Sequence, residues 1–380
     1  MGPSIARAGA LALAAAALVA ASRAAADSAP PLAESTFLSR IRQLTFEGQR
    51  AGEGYFSPDG DRIVFQSERE PGNPFFQIYE LDLATGDVRR ISTGVGKTTC
   101  AFYQPGTKRI LFASTHHDPR SAELQRAELE FRASGQSRRY EWDFDPEMEL
   151  YVAEPDGTLR RLTEVPGYDA EGSYSPDGKW IVFTSTRTAH PANREPVGEA
   201  GRRAAADPSY FAEIYLARED GTEVRRLTDE PGYDGGPFFT ADGERIVWRR
   251  FRPEGDVADV WTMRRDGSDA RRLTDLGSMS WAPYPDPSGR YVVFTSNELG
   301  FGNFELFVVD SDGRREPVRV TYTDGFDGLP VLSPDARLLA WTSNRRGGGG
   351  QLMLAEWNHR AVLDALQRAP LRAAPAAEGP

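Results

Sequence analysis

The chain has 380 residues, with 45 basic against 56 acidic side chains, a net charge of −11 and a single cysteine. That balance argues against nucleic acid as a partner, because phosphate binding asks for a basic face. The lone Cys100 rules out an internal disulfide framework.

Residues 1–26 read as a secretory signal. Arg7 supplies a positive start, Leu11 to Ala21 an apolar stretch too short to span a bilayer, and Ala24-Ala25-Ala26 a small-residue cleavage site before Asp27. Cleavage there leaves no transmembrane segment and implies a periplasmic or secreted protein. No cysteine stands at that junction to carry a lipid. Residues 27–38 are expected to be a short linker.

From residue 39 to 357 one pattern repeats. Its clearest copy is Tyr174-Ser175-Pro176-Asp177-Gly178 followed by Trp180-Ile181-Val182-Phe183-Thr184-Ser185. Pro presets the turn, Asp tolerates its bridge position, and Gly takes the left-handed position that closes a hairpin. The β-branched and aromatic flanks predict strands. Equivalent positions are Pro58, Pro105, Pro176, Ala241, Pro287 and Pro334, spaced by 47, 71, 65, 46 and 47 residues. Between them lies a second motif: a strand, a Gly turn and Arg-Arg-Leu-Thr, as in Arg160-Arg161-Leu162-Thr163. A period in the forties built from strands and turns signals propeller blades. The expectation is all-β: a six-bladed β-propeller of four-stranded blades. The sixth unit lacks its own outer strand, and Ile41 to Thr45 supplies an orphan one, so the N-terminal strand is expected to close the ring. Residues 358–380 read as a fragment of helix followed by a disordered Ala/Pro tail.

Two long spacings hold insertions, about 116–145 and 188–210, both between the second and third strands of neighbouring blades. Strand direction puts them on one face, the channel mouth, where long loops on an economical scaffold tend to carry function. The first contains a short helix around Ala122 to Glu130, then Tyr140 and Trp142 as aromatic anchors among charges. Seven residues before each turn marker stand Ala51, Thr98, Asp169, Asp234, Ser280 and Asp327, with Glu53 and Glu171 two residues further on. Converging at the mouth, Asp169, Asp234 and Asp327 would bind a cation such as Ca²⁺ or a basic side chain; otherwise they cap turns. His116, His117 and His190 open the two insertions, a pattern open to a metal or a general base but without metal-ligand spacing. Phe65, Phe112, Phe183, Trp248, Phe294 and Trp341 occupy equivalent strand positions and are expected to be core. No nucleophile elbow, phosphate loop or dinucleotide fingerprint is present.

The repeated Ser-Pro-Asp-Gly-x-x-Ile-x-Phe-x-Ser, with Leu-Thr after it, resembles the propeller of the TolB family, periplasmic components of the Tol-Pal system. The likeness covers residues 39–357. The α/β domain that precedes the propeller in that family has no expected counterpart here. The resemblance implies a monomeric exported module that binds an envelope protein or peptide through its channel-mouth face, without a resident cofactor. A more distant likeness to oligogalacturonate lyases implies the alternative, a lyase or hydrolase acting on sugar or peptide with a metal-assisted site at the same mouth.

Overall fold

A computed structural model describes residues 32–136, 144–190, 202 and 211–372. The chain opens with one helical turn, α1 (Glu34–Phe37), and β1 (Leu38–Gln43). Six similar units follow: β2 (Ala51–Phe56), β3 (Arg62–Ser67), β4 (Gln77–Asp82) and β5 (Val88–Arg90); β6 (Thr98–Tyr103), β7 (Ile110–Ser114), β8 (Glu149–Ala153) and β9 (Leu159–Arg161); β10 (Asp169–Tyr174), β11 (Trp180–Ser185), β12 (Phe211–Arg218) and β13 (Arg225–Arg226); β14 (Gly232–Phe239), β15 (Arg245–Phe251), β16 (Ala258–Arg264) and β17 (Arg271–Arg272); β18 (Ser280–Pro285), β19 (Tyr291–Ser296), β20 (Glu305–Asp310) and β21 (Val318–Arg319); β22 (Asp327–Leu332), β23 (Leu338–Ser343) and β24 (Gln351–Trp357). α2 (Ser121–Ala133) lies between β7 and β8, and α3 (His359–Arg368) follows β24.

The architecture is an all-β propeller arrangement. Among the described residues the sheets differ from the expected six: four have four strands and one has eight. In the large one, β12 runs parallel to β14 at Phe211↔Gly232 and Ala212↔Tyr233, which fuses two antiparallel units into one sheet. β1 pairs antiparallel with β24, from Leu38↔Trp357 to Gln43↔Met353.

Each repeated motif has a local physical role. In the Ser-Pro-Asp-Gly turns the Ser hydroxyl donates to the Asp carboxylate and accepts the amide that starts the next strand, as Ser175 does with Asp177 (2.6 Å) and Trp180 (3.0 Å). That hydroxyl is the main reason Asp177 is held below the usual carboxylate range. Gly178 sits at φ +68°, open to Gly at little cost. The Thr of Leu-Thr lies beyond the short outer strand, where its hydroxyl accepts an amide of the third strand: Leu150 N to Thr163, Ile214 N to Thr228 and Val260 N to Thr274, all at 2.9 Å. Thr45, after β1, accepts Leu352 N at the same distance.

The aromatics at the six equivalent second-strand positions are fully buried, as expected. One core cluster joins Phe65 and Ile78 of the first repeat to Val331, Ala340 and Leu352 of the sixth. Part of the expected linker is structured. Phe37 is fully buried beside Trp357, Val362 and Leu366, and Glu34 pairs with Arg345 at 2.9 Å. The C-terminal helix begins with the Asn358 side chain capping the Ala361 amide.

Candidate functional site

The first strand of every repeat carries a β-bulge. Register shifts fall between Gly52 and Tyr55, Thr99 and Phe102, Ala170 and Ser173, Gly235 and Phe238, Trp281 and Tyr284, and Gly328 and Val331. At each bulge one residue adopts positive φ: Glu53, Cys100, Glu171, Gly236, Ala282 and Leu329, between 49° and 58°. Five are not glycine, so each costs backbone strain that its surroundings must hold. Neighbouring repeats provide a restraint at three of the six bulges, two of them at non-glycine residues. Thr342 Oγ1 accepts Glu53 N (3.0 Å), Thr295 Oγ1 accepts Leu329 N (3.1 Å), and Glu171 Oε2 accepts Gly236 N (2.6 Å).

These six residues line one central cavity of about 180 Å³. Two residues further along the strands, the rings of Tyr55, Phe102, Phe238 and Tyr284 meet across the axis. Tyr55 lies 5.6 Å from Phe238 and 6.5 Å from Tyr284 between ring centroids, and Phe238 lies 5.3 Å from Tyr284. They floor the cavity, with Tyr55, Phe238 and Tyr284 in its lining. Its wall divides in two. Glu53, Gln66, Thr99, Cys100, Glu171 and Arg249 make one side polar; Trp281, Ala282, Pro283, Leu329, Pro330 and Val331 make the other apolar.

The two carboxylates of the polar side differ sharply. Glu171 accepts from Arg249 Nη2 (2.7 Å), Tyr233 Oη (2.6 Å), Gly236 N (2.6 Å) and Thr184 Oγ1 (3.0 Å). Burial alone would raise its pKa, but Arg249, Tyr233 and Gly236 together hold it below the usual carboxylate value. The guanidinium of Arg249 is held above its ordinary value by Glu171 and Tyr233 in spite of burial. Glu53 accepts from Tyr55 Oη at 3.2 Å. Burial pushes its carboxyl up to about 7, with the charge of Glu171 adding to the rise and Cys100, Arg249 and Tyr55 opposing it. Among the described residues no Lys or Arg forms an ion pair with it. The Cys100 thiol is pushed well up by burial and by Glu53, so it is a poor nucleophile here.

Of the residues singled out from sequence, Glu53 and Glu171 line this cavity and Asp169, Asp234 and Asp327 do not. The expected acidic ring is therefore corrected. Each aspartate is buried and turned to its own repeat: Asp169 to Arg187 (2.5 Å) and Ser185, Asp234 to Arg250 (2.7 Å) and Trp248 Nε1 (3.0 Å), Asp327 to Arg345 (2.6 Å) and Trp341 Nε1 (3.0 Å). The physical reason is the bulge. An extra residue breaks the period of two, so a position two residues on does not share the aspartates' face. Among the described residues they do not cap turns through backbone amides; they bind side chains in the second strand or two residues beyond its end.

The histidines also belong to the repeat. His116 takes the place of Arg69 and Arg187, which lie over aromatic pairs about 5.2 Å from Phe65 and Phe183. Its ring lies 4.3 Å from Tyr151, and its Nδ1 bonds Ser114 Oγ at 2.9 Å. His117 Nδ1 meets Tyr151 Oη at 3.0 Å. Burial holds both imidazoles below the usual histidine pKa. Among the described residues no three His, Cys, Asp or Glu side chains gather as a metal site, which leaves the Ca²⁺ expectation without a donor set there. Tyr140 and Trp142 lie outside the described residues. The expected insertion helix is present as α2, and Gln125 on it accepts Gly96 N at 3.1 Å.

Sequence reading missed Arg249, Tyr233 and Cys100. A signal for the first was present. Where the other repeats read Phe-x-Ser, or Trp341-Thr342-Ser343 in the sixth, at the end of the second strand, the fourth reads Trp248-Arg249-Arg250.

No family model matches the chain. Part of it is 30% identical over 116 residues to an uncharacterized protein of Agrobacterium fabrum, covering 30% of this chain and 32% of the relative. Another part is 28% identical over 147 residues to a TolB homolog of Chlorobium luteolum, covering 35% and 33%. The chain thus matches about a third of the length of these curated relatives. Among solved structures, a putative TolB from Agrobacterium tumefaciens superposes with a TM-score of 0.55 at 20% identity, over 85% of this chain and 99% of that one. TolB from Acinetobacter baumannii superposes with a TM-score of 0.55 at 18% identity, over 80% and 65%. An oligogalacturonate lyase from Vibrio parahaemolyticus reaches 0.51 at 13% identity, over 84% and 94%. Among the described residues no helix is long and apolar enough to cross a membrane. In fold, the chain is a TolB-like β-propeller.

Proposed function

We propose that this chain is an exported, six-bladed propeller closed by its N-terminal strand, and that it works in the periplasm as a monomeric protein- or peptide-binding module through its channel mouth. The six blades follow from six equivalent bulges and six first-to-third strand units, two of which share a sheet through β12 and β14. Thr45 makes the same contact with the last unit that Thr163, Thr228 and Thr274 make in theirs, which supports closure by β1.

The observation that carries the binding role is the floored cavity. Four aromatic rings block the axis, so whatever enters the mouth must leave by it, as a side chain inserted by a partner would. The fold likeness to TolB structures supports the same reading. The test is capture of a partner from native envelope extract by the mature protein carrying a photo-crosslinker at Trp281. A single crosslinked envelope protein is expected, lost when Leu329→Trp fills the cavity. Unchanged crosslinking to that variant would refute the role of the mouth.

A second reading, an enzyme acting on sugar or peptide, is favoured by Glu53, whose carboxyl near 7 suits a general base. Turnover of a polygalacturonate or peptide library by the wild type, abolished in Glu53→Gln, would replace the binding module with this reading.

A further inference from the structure

The cavity contains three charged side chains: Glu53, Glu171 and Arg249. Arg249 and Glu171 neutralise each other at 2.7 Å, with Tyr233 joining both. Glu53 stands beside them with a phenol and a thiol as neighbours, and those supply no countercharge. A carboxylate in such surroundings is stabilised by a cation delivered from outside. Beside it, from the sixth repeat round to the fifth, the wall is carbon: Leu329, Pro330 and Val331, then Trp281, Ala282 and Pro283. The space, about 180 Å³, is close to the roughly 150 Å³ of a protein cavity that accepts benzene. One ring with a short arm fills it.

We infer that the cavity binds a primary ammonium group on an apolar stem, with Glu53 as its counter-ion and the Trp281–Leu329 wall as the bed for the stem. The inference deepens the binding role proposed above and depends on its placing the ligand at the channel mouth, but not on the partner being a protein. Two sources share this chemistry, a free arylalkylamine and a lysine side chain on a peptide. An anionic ligand is disfavoured, because Arg249 is already paired with Glu171, its Nη2 engaged by Glu171 and Tyr233, and Glu53 stands in the same cavity.

The experiment is calorimetric titration of the mature protein at pH 8 with four probes: phenethylamine, 2-phenylethanol, 3-phenylpropionate and the tripeptide amide acetyl-Gly-Lys-Gly. Binding of either amine is expected, at least about tenfold tighter than the alcohol and without detectable binding of the carboxylate. Glu53→Gln keeps the shape and removes the charge; it should bring the amine down to the alcohol's affinity. Leu329→Trp should abolish binding of both. Preference for phenethylamine identifies a free amine as the source, and preference for the peptide identifies lysine. Dropping to pH 5 should weaken the amine in the wild type, since Glu53 then holds a proton while Glu171 stays ionised beside Arg249. This arm needs no variant to fold. Equal affinity for amine and alcohol, or an amine affinity indifferent to both Glu53→Gln and pH, overturns the inference. Envelope-protein capture that survives such a result would leave the binding module standing without it.

Discussion

Stability should fall between pH 6 and pH 8, opposite to what an acidic protein held by ion pairs would do. Glu149 and Glu213 lie at or near the start of the third strands of their repeats, are 3% and 0% exposed, and are both pushed up to about 7. Burial is the main cause. The charges of Asp169 and Asp234 in the following repeats add to it, and Thr163 and Thr228 hydroxyls and the Arg161 and Arg226 guanidinia only partly oppose it. Such a group holds its proton in the native state longer than in the unfolded chain. Its stabilising contribution is full below about 4.5 and is lost as pH rises through about 7. From pH 6 to pH 8 the unfolded carboxyl stays ionised while the native one titrates, which removes about 1.4 kcal/mol per group. For both groups that is about 3 kcal/mol, and Glu53, pushed up to about 7 by the same burial, acts in the same direction. With an unfolding entropy of about 2.1 cal/mol/K per residue over roughly 350 residues, Tm should drop by roughly 4 °C. Scanning calorimetry at pH 6, 7 and 8 measures this, and Glu149→Gln with Glu213→Gln should flatten the slope. A Tm that stays level or rises with pH, or a wild-type slope in the double variant, would refute the reasoning. Below pH 4 the trend should reverse, because Asp59, Asp177, Asp242 and Asp335 are held below their ordinary range by turn hydroxyls and lose that support on protonation.

Other changes should act through single contacts. Removing residues up to 46 takes β1 and Thr45 from β24, strands the Leu352 amide and bares a sheet edge; a markedly lower Tm is expected, and an unchanged one would sink the closure model. Arg249→Met leaves Glu171 buried with three neutral donors and should cost about 3–5 kcal/mol in denaturant unfolding, with Glu171→Gln added to it recovering a good part. Asp327→Ala deprives Arg345 and the Trp341 indole of their common acceptor and should destabilise by a few kcal/mol, while calorimetric titration with Ca²⁺ shows no change. N-terminal sequencing of the exported protein should begin at Asp27; a product retained in the cytoplasm and starting at Met1 would contradict the signal assignment.

The repeat was legible because its cues are local. Pro176, Asp177 and Gly178 make a turn wherever they stand, and Phe183 or Trp248 must be buried on whichever strand follows. Outer-strand pairing was also legible, since Ile41 to Thr45 copies a motif that needs a third-strand partner. Two features were hidden because they are not local. The fusion of two units across Phe211↔Gly232 depends on where a long insertion returns, and the burial of Phe37 depends on Val362 and Leu366, more than three hundred residues away.

The candidate site was half legible for a related reason. Strand alternation predicts that Asp169 and Glu171 share a face, and the bulge sends one into the repeat and the other to the axis. Position within the repeat, not residue type, decides what reaches the cavity, so the useful signal lies in how the repeats differ at that position. Read along the chain, it is Glu53, Cys100, Glu171, Gly236, Ala282 and Leu329. A purely structural set of bulges would have no reason to place carboxylates at the first and third repeats and only carbon at the fifth and sixth. Gly236 gives up its side chain where Arg249 comes within contact of any Cβ that would be there, so the one repeat that replaces the closing Ser of the second strand by Arg250 also makes room for Arg249. That paired departure neutralises Glu171 and leaves Glu53 as the single charge facing an apolar wall. This asymmetry is the argument for a ligand with one cationic end and one apolar end.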